Sequence, residues 1–240
     1  MTLLSISTDV ADEVQGPRPT TIIGNTDPDA QKMLRLVNKA GTRIMLAYPW
    51  QILRKERTFT SNAAEEQTGA LPTDFNRFIS ETFWDRSTNN LISGPITPVE
   101  WNGLKVQAYA SQNKKFIYRG GSIFTSPSLD AGVSCAFEYI SKNWCNVAAA
   151  NAPKAKFTID TDIGIIDEEL ITYAVKYEYL KDAGLPWENA RQDLQNQLDI
   201  LTENEIASPG VSAVADIFAQ NSRHFDGAPK ASRASYGGDF

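Results

Sequence analysis

The spacing of apolar residues switches twice along this chain of 240 residues, and that constrains the fold more than any other feature. From Asp27 to Pro49 the residues Met33, Leu34, Val37, Gly41, Ile44, Met45 and Tyr48 recur at helical spacing. Between 56 and 160 the pattern becomes short alternating runs, at Thr58 to Thr60, Phe75 to Phe83, Lys115 to Tyr118, Ser122 to Phe124, Val133 to Ile140 and Lys156 to Ile159. From 163 the helical period returns. Helices that flank a block of strands, each with one apolar stripe, need one another as partners. The sequence therefore predicts an α+β fold: an α-helical bundle, an inserted antiparallel β subdomain and an extended C-terminal arm. The expected boundaries are an N-terminal segment over 1–26, the bundle over 27–55 and 163–205, the β subdomain over 56–162, and the arm over 206–240.

Local signals sharpen these elements. Leu3, Leu4, Ile6 and Val10 predict a short helix within 2–15, which Gly16-Pro17-Arg18-Pro19 stops. Asp27 suits an N-cap and Pro28 the first helical position, while Pro49 ends that helix. Arg119-Gly120-Gly121-Ser122 between two short apolar runs reads as a hairpin. One short helix, about Pro98 to Tyr109, is expected inside the β block, with Trp101, Leu104 and Ala108 on one face. Asp167, Glu168 and Glu169 suit the positive end of a helix carrying Leu170, Ala174, Tyr177 and Leu180. Gly184 is a stop and Pro186 a start for a second helix carrying Trp187, Ala190, Leu194, Leu198 and Leu201, antiparallel to the first. From Gly227 to Phe240, nine of fourteen residues are Gly, Ala, Ser or Pro, too few apolar groups for a core.

Composition narrows the function. A net charge of -6 argues against a dedicated nucleic-acid binder, which usually carries a basic patch. No apolar stretch is long enough to span a membrane, and the start of the chain lacks the basic and apolar regions of a signal peptide. Cys135 and Cys145 read as two reduced structural thiols, with Cys135 facing the core of a strand beside Val133, Phe137 and Tyr139.

Catalytic motifs are hard to find. The single histidine, His224, lies in the poorly patterned tail, where no held geometry for proton transfer is expected. There is no G-x-S-x-G elbow and no G-x-x-x-x-G-K-[ST] phosphate loop. Asp160 and Asp162 could hold a divalent cation, but read better as turn and cap residues leading to the helix at 167. Glu65 and Glu66 read as a solvated loop, and Lys114-Lys115 and Arg54-Lys55-Glu56-Arg57 as solvated surface. The sequence predicts no enzyme, no cofactor and no metal. Trp50, Trp84, Trp101, Trp144 and Trp187 lie at or near element ends, where large aromatics commonly pin an element onto a shared core.

A relay of short motifs then runs through the chain in fixed order. Tyr48-Pro49-Trp50 ends the first long helix, and the run from Glu56 to Thr60 follows. Leu71-Pro72-Thr73-Asp74-Phe75, Trp84-Asp85, the Thr97-to-Trp101 helix start and Phe157-to-Asp162 come next, leading into the helical pair with Trp187. In this order the chain, over about residues 28 to 205, resembles the head-to-tail adaptors of tailed bacteriophages. These are also called head-completion or head–tail connector proteins, in the variety of short-tailed phages and their relatives. With no chemistry beside them, Tyr48, Pro49, Trp50, Leu71, Pro72, Phe75, Trp84, Trp101, Asp160, Asp162 and Trp187 are expected to be structural pins.

The resemblance implies a virion neck protein, assembled in the host cytoplasm. Wedge-shaped subunits of such a protein would form a dodecameric ring between the portal and the tail, nozzle or tail-fibre proteins. Genomic DNA would pass without specific binding, and no membrane is involved. The arm would reach along the portal through Phe218, His224, Phe225, Lys230, Arg233, Tyr236 and Phe240, ordering as it binds. Two other classes remain open to the residues: a hydrolase with a carboxylate-based site in the β insertion, and a carbohydrate- or receptor-binding module built on the aromatics.

Overall fold

A computed structural model describes residues 1–106 and 113–205 of the chain. Among these, helices and antiparallel sheets alternate as the α+β reading requires. Helix α1 (Leu3–Glu13) begins with a capping box in which the Thr2 and Ser5 side chains each accept from the other's backbone N–H. Helix α2 (Pro28–Ala47) starts where Asp27 accepts from the Asp29 amide and Pro28 enters the first turn. Its buried face differs slightly from the expected one: Leu36 and Ala40 join Met33, Val37, Gly41, Ile44 and Met45, whereas Leu34 is only half-buried.

Five strands form the largest sheet: β1 (Arg54–Thr60), β3 (Phe75–Phe78), β4 (Trp84–Asp85), β5 (Asn90–Leu91) and β8 (Ser134–Ser141). Strand β8 is its axis. β1 covers one edge for its whole length, Arg54 opposite Ile140 through Thr60 opposite Ser134, while β3 and β4 share the other edge end to end. The alternating run expected from Phe75 to Phe83 is thus two strands with a gap. Glu81 takes a positive φ of 61° there, and the Thr82 hydroxyl fills the ladder by accepting from the Glu138 amide at 3.1 Å.

A second sheet joins β2 (Glu66–Gln67), β7 (Ser122–Ser126) and β6 (Lys115–Arg119). Its β6–β7 hairpin turns on Gly120 and Gly121, both with positive φ (60° and 83°), the geometry that L side chains resist and glycine accepts. Glu66, read from sequence as a loop residue, pairs with Phe124 in this sheet. Phe83, Phe116, Ile123, Leu129, Phe137 and Tyr139 form one buried core, with Phe59, Phe75 and Phe78 packed against it. Successive rings of that core meet edge-on or tilted, for example Phe83–Phe116 at 5.0 Å and Phe78–Phe137 at 5.1 Å between centroids. Helix α3 (Pro98–Val106) buries Trp101; Ala108 and Tyr109, expected to continue it, lie outside the described residues.

The third sheet is β10 (Ala152–Lys154), β9 (Cys145–Val147) and β11 (Asp162–Gly164). The run from Lys156 to Ile159, expected as a strand, is instead a turn. The Asp162 carboxylate accepts the Thr158 and Ile159 amides at 2.7 and 2.9 Å, the N–H groups a strand would give to a neighbour. Ile159 is consequently exposed and Phe157 buried.

Helix α4 (Glu168–Asp182), capped by Asp167, packs against α1, α2 and the last helix, α5 (Glu188–Asn204). A Schellman motif ends α4: Gly184 has φ 67°, the Leu185 amide reaches the Leu180 carbonyl at 2.9 Å and the Gly184 amide that of Lys181 at 3.3 Å. Pro186 does not open α5 as its first residue. It precedes Trp187, which is the N-cap. The N-terminal helix therefore joins the helical group, and the start of the chain is tied to the third sheet as well, by the bridge between Thr2 and Ile163. No helix among the described residues is long and apolar enough to cross a membrane.

Candidate assembly surfaces

The aromatic and proline positions singled out in the sequence fall into two groups. Tyr48 and Trp50 are buried and meet edge-on at 5.2 Å, and the Trp50 indole donates to the Ile44 carbonyl at 2.8 Å, closing the end of α2 around half-buried Pro49. Leu71 and Phe75 pack against the β core beside half-buried Pro72. Trp101 is buried, with the Lys105 ammonium 5.0 Å from its ring. Trp187 stacks edge-on with Tyr177 at 5.8 Å and so links α5 to α4. Trp84 stands apart. It is 43% exposed on the outer face of the large sheet, in a groove it lines with Arg54, Glu56, Arg86 and Glu138.

The two aspartates are fasteners between distant segments. Asp160 accepts the Ile22 amide at 3.2 Å and the Ile23 amide at 2.8 Å, and its carbonyl accepts from Leu4. Asp162 is fully buried and accepts from the Lys154 ammonium at 2.7 Å as well as from the two turn amides. Burial alone would raise the Asp162 pKa, but Lys154 and the amides outweigh it and hold the carboxyl below the ordinary range. Its oxygens are thus already taken by protein donors.

Similar fasteners recur where local spacing carries no sign of them. Asp85 is buried with Lys114 at 2.9 Å, so Lys114 is not solvated surface. Asp74 joins Lys55, Tyr139 and Ser141 at 2.8 to 2.9 Å. At both carboxyls burial pushes the pKa up, and the hydrogen bonds from these partners more than reverse it. Arg54 pairs with Glu138, and Glu56 with Arg86, so the mixed-charge run of β1 is also tied down. The partners lie from 19 to 84 residues apart, beyond the reach of local spacing.

Cys135 and Cys145 are free and buried. Burial, then a neighbouring carboxylate, pushes Cys135 up to about 11 and Cys145 up to about 12. Neither thiol should react with Ellman's reagent at neutral pH in the native protein, and both should react once it is unfolded in urea. Fast native labelling of either would contradict this burial.

At Asp160, Asp162, Asp85 and Asp74 the polar groups serve to join segments of the same body. His224 and the expected arm residues Phe218, Phe225, Lys230, Arg233, Tyr236 and Phe240 lie outside the described residues. A family model described as SU10 adaptor protein matches residues 1–214. The chain belongs to that family. This is a family of phage head–tail adaptors, structural proteins of the virion. No curated protein matches the chain. The match extends beyond the motif relay in both directions, taking in α1 and the first residues after α5. For the adaptor, α1 thus lies within the matched region. The cue in the sequence was the apolar side of Leu3, Ile6 and Val10, all fully buried.

Proposed function

We propose that this adaptor is a wedge-shaped subunit of a dodecameric ring in the virion neck. The ring joins the portal to the tail, nozzle or tail-fibre proteins, and its lumen passes the genome. The observation that carries this reading is membership of the adaptor family across nearly the whole body. The physical character of the chain supports it. Buried carboxylates are paired to lysines within the body rather than grouped in a cleft, and four of the five tryptophans are buried or packed against other elements. That leaves Trp84 alone to offer an exposed indole face to a sugar, which disfavours a glycan-binding module. In this reading the helical group and the sheets form the body as a bundle with a β insertion, and residues 206–240 are the arm that grips the portal.

Electron microscopy of the purified protein mixed with its portal tests the assignment. Rings stacked coaxially on the portal are expected, whereas a persistent monomer that cleaves or binds glycan would overturn it. Removing residues 219–240 should weaken portal docking at least about tenfold, equivalent to about 1.4 kcal/mol, and leave the melting of the body unchanged. Unchanged docking after that truncation would exclude the arm as the portal grip.

A further inference from the structure

Two helices of the body carry opposite charge on their exposed faces. Helix α2 has four basic residues and one acidic residue, and Arg35, Lys39 and Arg43 follow one another at four-residue spacing along one side. With Lys156 they line a surface groove of about 580 Å³. Lys39 and Arg43 pair with one carboxylate, the buried Glu178 of α4, and a second, Asp182, pairs with Lys32 and lies near Arg35 and Lys39. Among the described residues Arg35 and Lys156 form no ion pair, so the groove keeps a positive excess in a chain of net charge -6. Leu46, 48% exposed, continues the same side of α2.

Helix α5 is the reverse, with four acidic residues and one basic residue. Glu188, Asp193, Asp199 and Glu203 are all exposed, and among the described residues none of them is in an ion pair. Ile200, 54% exposed, gives this side an apolar centre to match Leu46. Both helices pack against α4, and Arg35, Lys39 and Lys156 on the one side and the four carboxylates of α5 on the other are exposed.

We infer that the basic side of α2 in one copy docks against the acidic side of α5 in the next. The inference rests on the ring reading above. A ring closed by rotation needs two different, mutually complementary patches on every subunit. These two sides meet that need in charge, in apolar content and in helical shape. A nucleic-acid contact would use the basic groove but would leave the acidic, apolar side of α5 without a role. Charge complementarity of this kind sets register and penalises wrong juxtapositions.

The test reverses exposed charges that form no ion pair among the described residues; of these, Asp199 accepts only from Gln195 Nε2 one turn away on its own helix, at 2.7 Å. Arg35→Glu with Lys156→Glu makes both sides acidic, and Asp199→Lys with Glu203→Lys makes both sides basic. Ring formation on the portal is read by electron microscopy and sedimentation. Each pair of substitutions alone should lower ring yield more than about tenfold. An equimolar mixture of the two variants should restore rings in which they alternate, and one chain carrying all four substitutions should again form rings by itself. If the wild type forms rings and the reversals leave them intact, the docking is overturned while the ring reading stands. Loss of rings without rescue by mixing, or a basic-side variant that keeps its rings and loses only retention of duplex DNA, overturns it equally. A wild type that never rings on the portal removes the ring reading and this docking together.

Discussion

Trp144→Ala is expected to remove about 3–5 kcal/mol of folding stability, measured as a lower urea midpoint at unchanged slope. Trp144 is fully buried, meets Phe157 edge-on at 4.9 Å, and lies flat against the one place in α2 where a side chain is missing. That place is Gly41. A Cβ there would fall inside the van der Waals envelope of the indole ring. Gly41→Ala alone should therefore destabilise by about 1–3 kcal/mol, because overpacking outweighs the roughly 1 kcal/mol that alanine gains over glycine in a helix. In the Trp144→Ala background the ring is gone and the same substitution should become stabilising by about 0.5–1 kcal/mol. A Gly41→Ala effect of the same sign in both backgrounds would mean that the ring does not set the glycine. Trp144→Phe should be milder, since the indole N–H meets no acceptor among the described residues.

Asp162→Ala should cost about 2–4 kcal/mol, because it removes the buried carboxylate that accepts from the partly buried Lys154 ammonium and from two turn amides. Asp162→Asn keeps one acceptor oxygen and should cost less, which provides a folded variant if the alanine protein is too unstable. The pH dependence has a definite sign. Asp74, Asp85 and Asp162 all have their pKa held below the ordinary value. Their contribution to stability is therefore complete above the unfolded value of about 3.9, and drains away as pH falls through the lower native values. Urea midpoints should be flat from neutral pH to about 5 and fall steeply below about 4, less steeply in Asp162→Asn. Equal steepness in wild type and variant would show that Asp162 is not one of the groups responsible.

What could be read from the sequence was what local chemistry decides. Asp27-Pro28, Asp167 with its two glutamates, and Gly184 mark helix ends through groups within a turn of one another, and Gly120-Gly121 specifies a hairpin from two adjacent residues. The alternation of Val133 to Ile140 marks the central strand, although both of its faces turn out to be largely buried. Misreadings arose where a side chain displaced the backbone pattern. Asp162 folds Lys156 to Ile159 into a turn, and Thr82 interrupts Phe75 to Phe83. The fit of Gly41 to Trp144 and of Lys114 to Asp85 joins residues far apart in sequence, so spacing carries no trace of it. The candidate docking sides were present as the four-residue spacing of Arg35, Lys39 and Arg43 and as the acidic excess of α5. A sequence cannot say which charges are neutralised inside the body, and that determines which remain for a neighbour.

Strand β8 also sets when the body can form during synthesis. β1, β3 and β4 all find their main partner in it, and it leaves the ribosome after all of them. Until Ser141 has emerged, the earlier strands wait with open edges, which are templates for pairing with the wrong chain. Pairings this distant in sequence close slowly. A chain that stops short of β8 is therefore expected to aggregate where the full chain stays in solution, which sedimentation of the two would show.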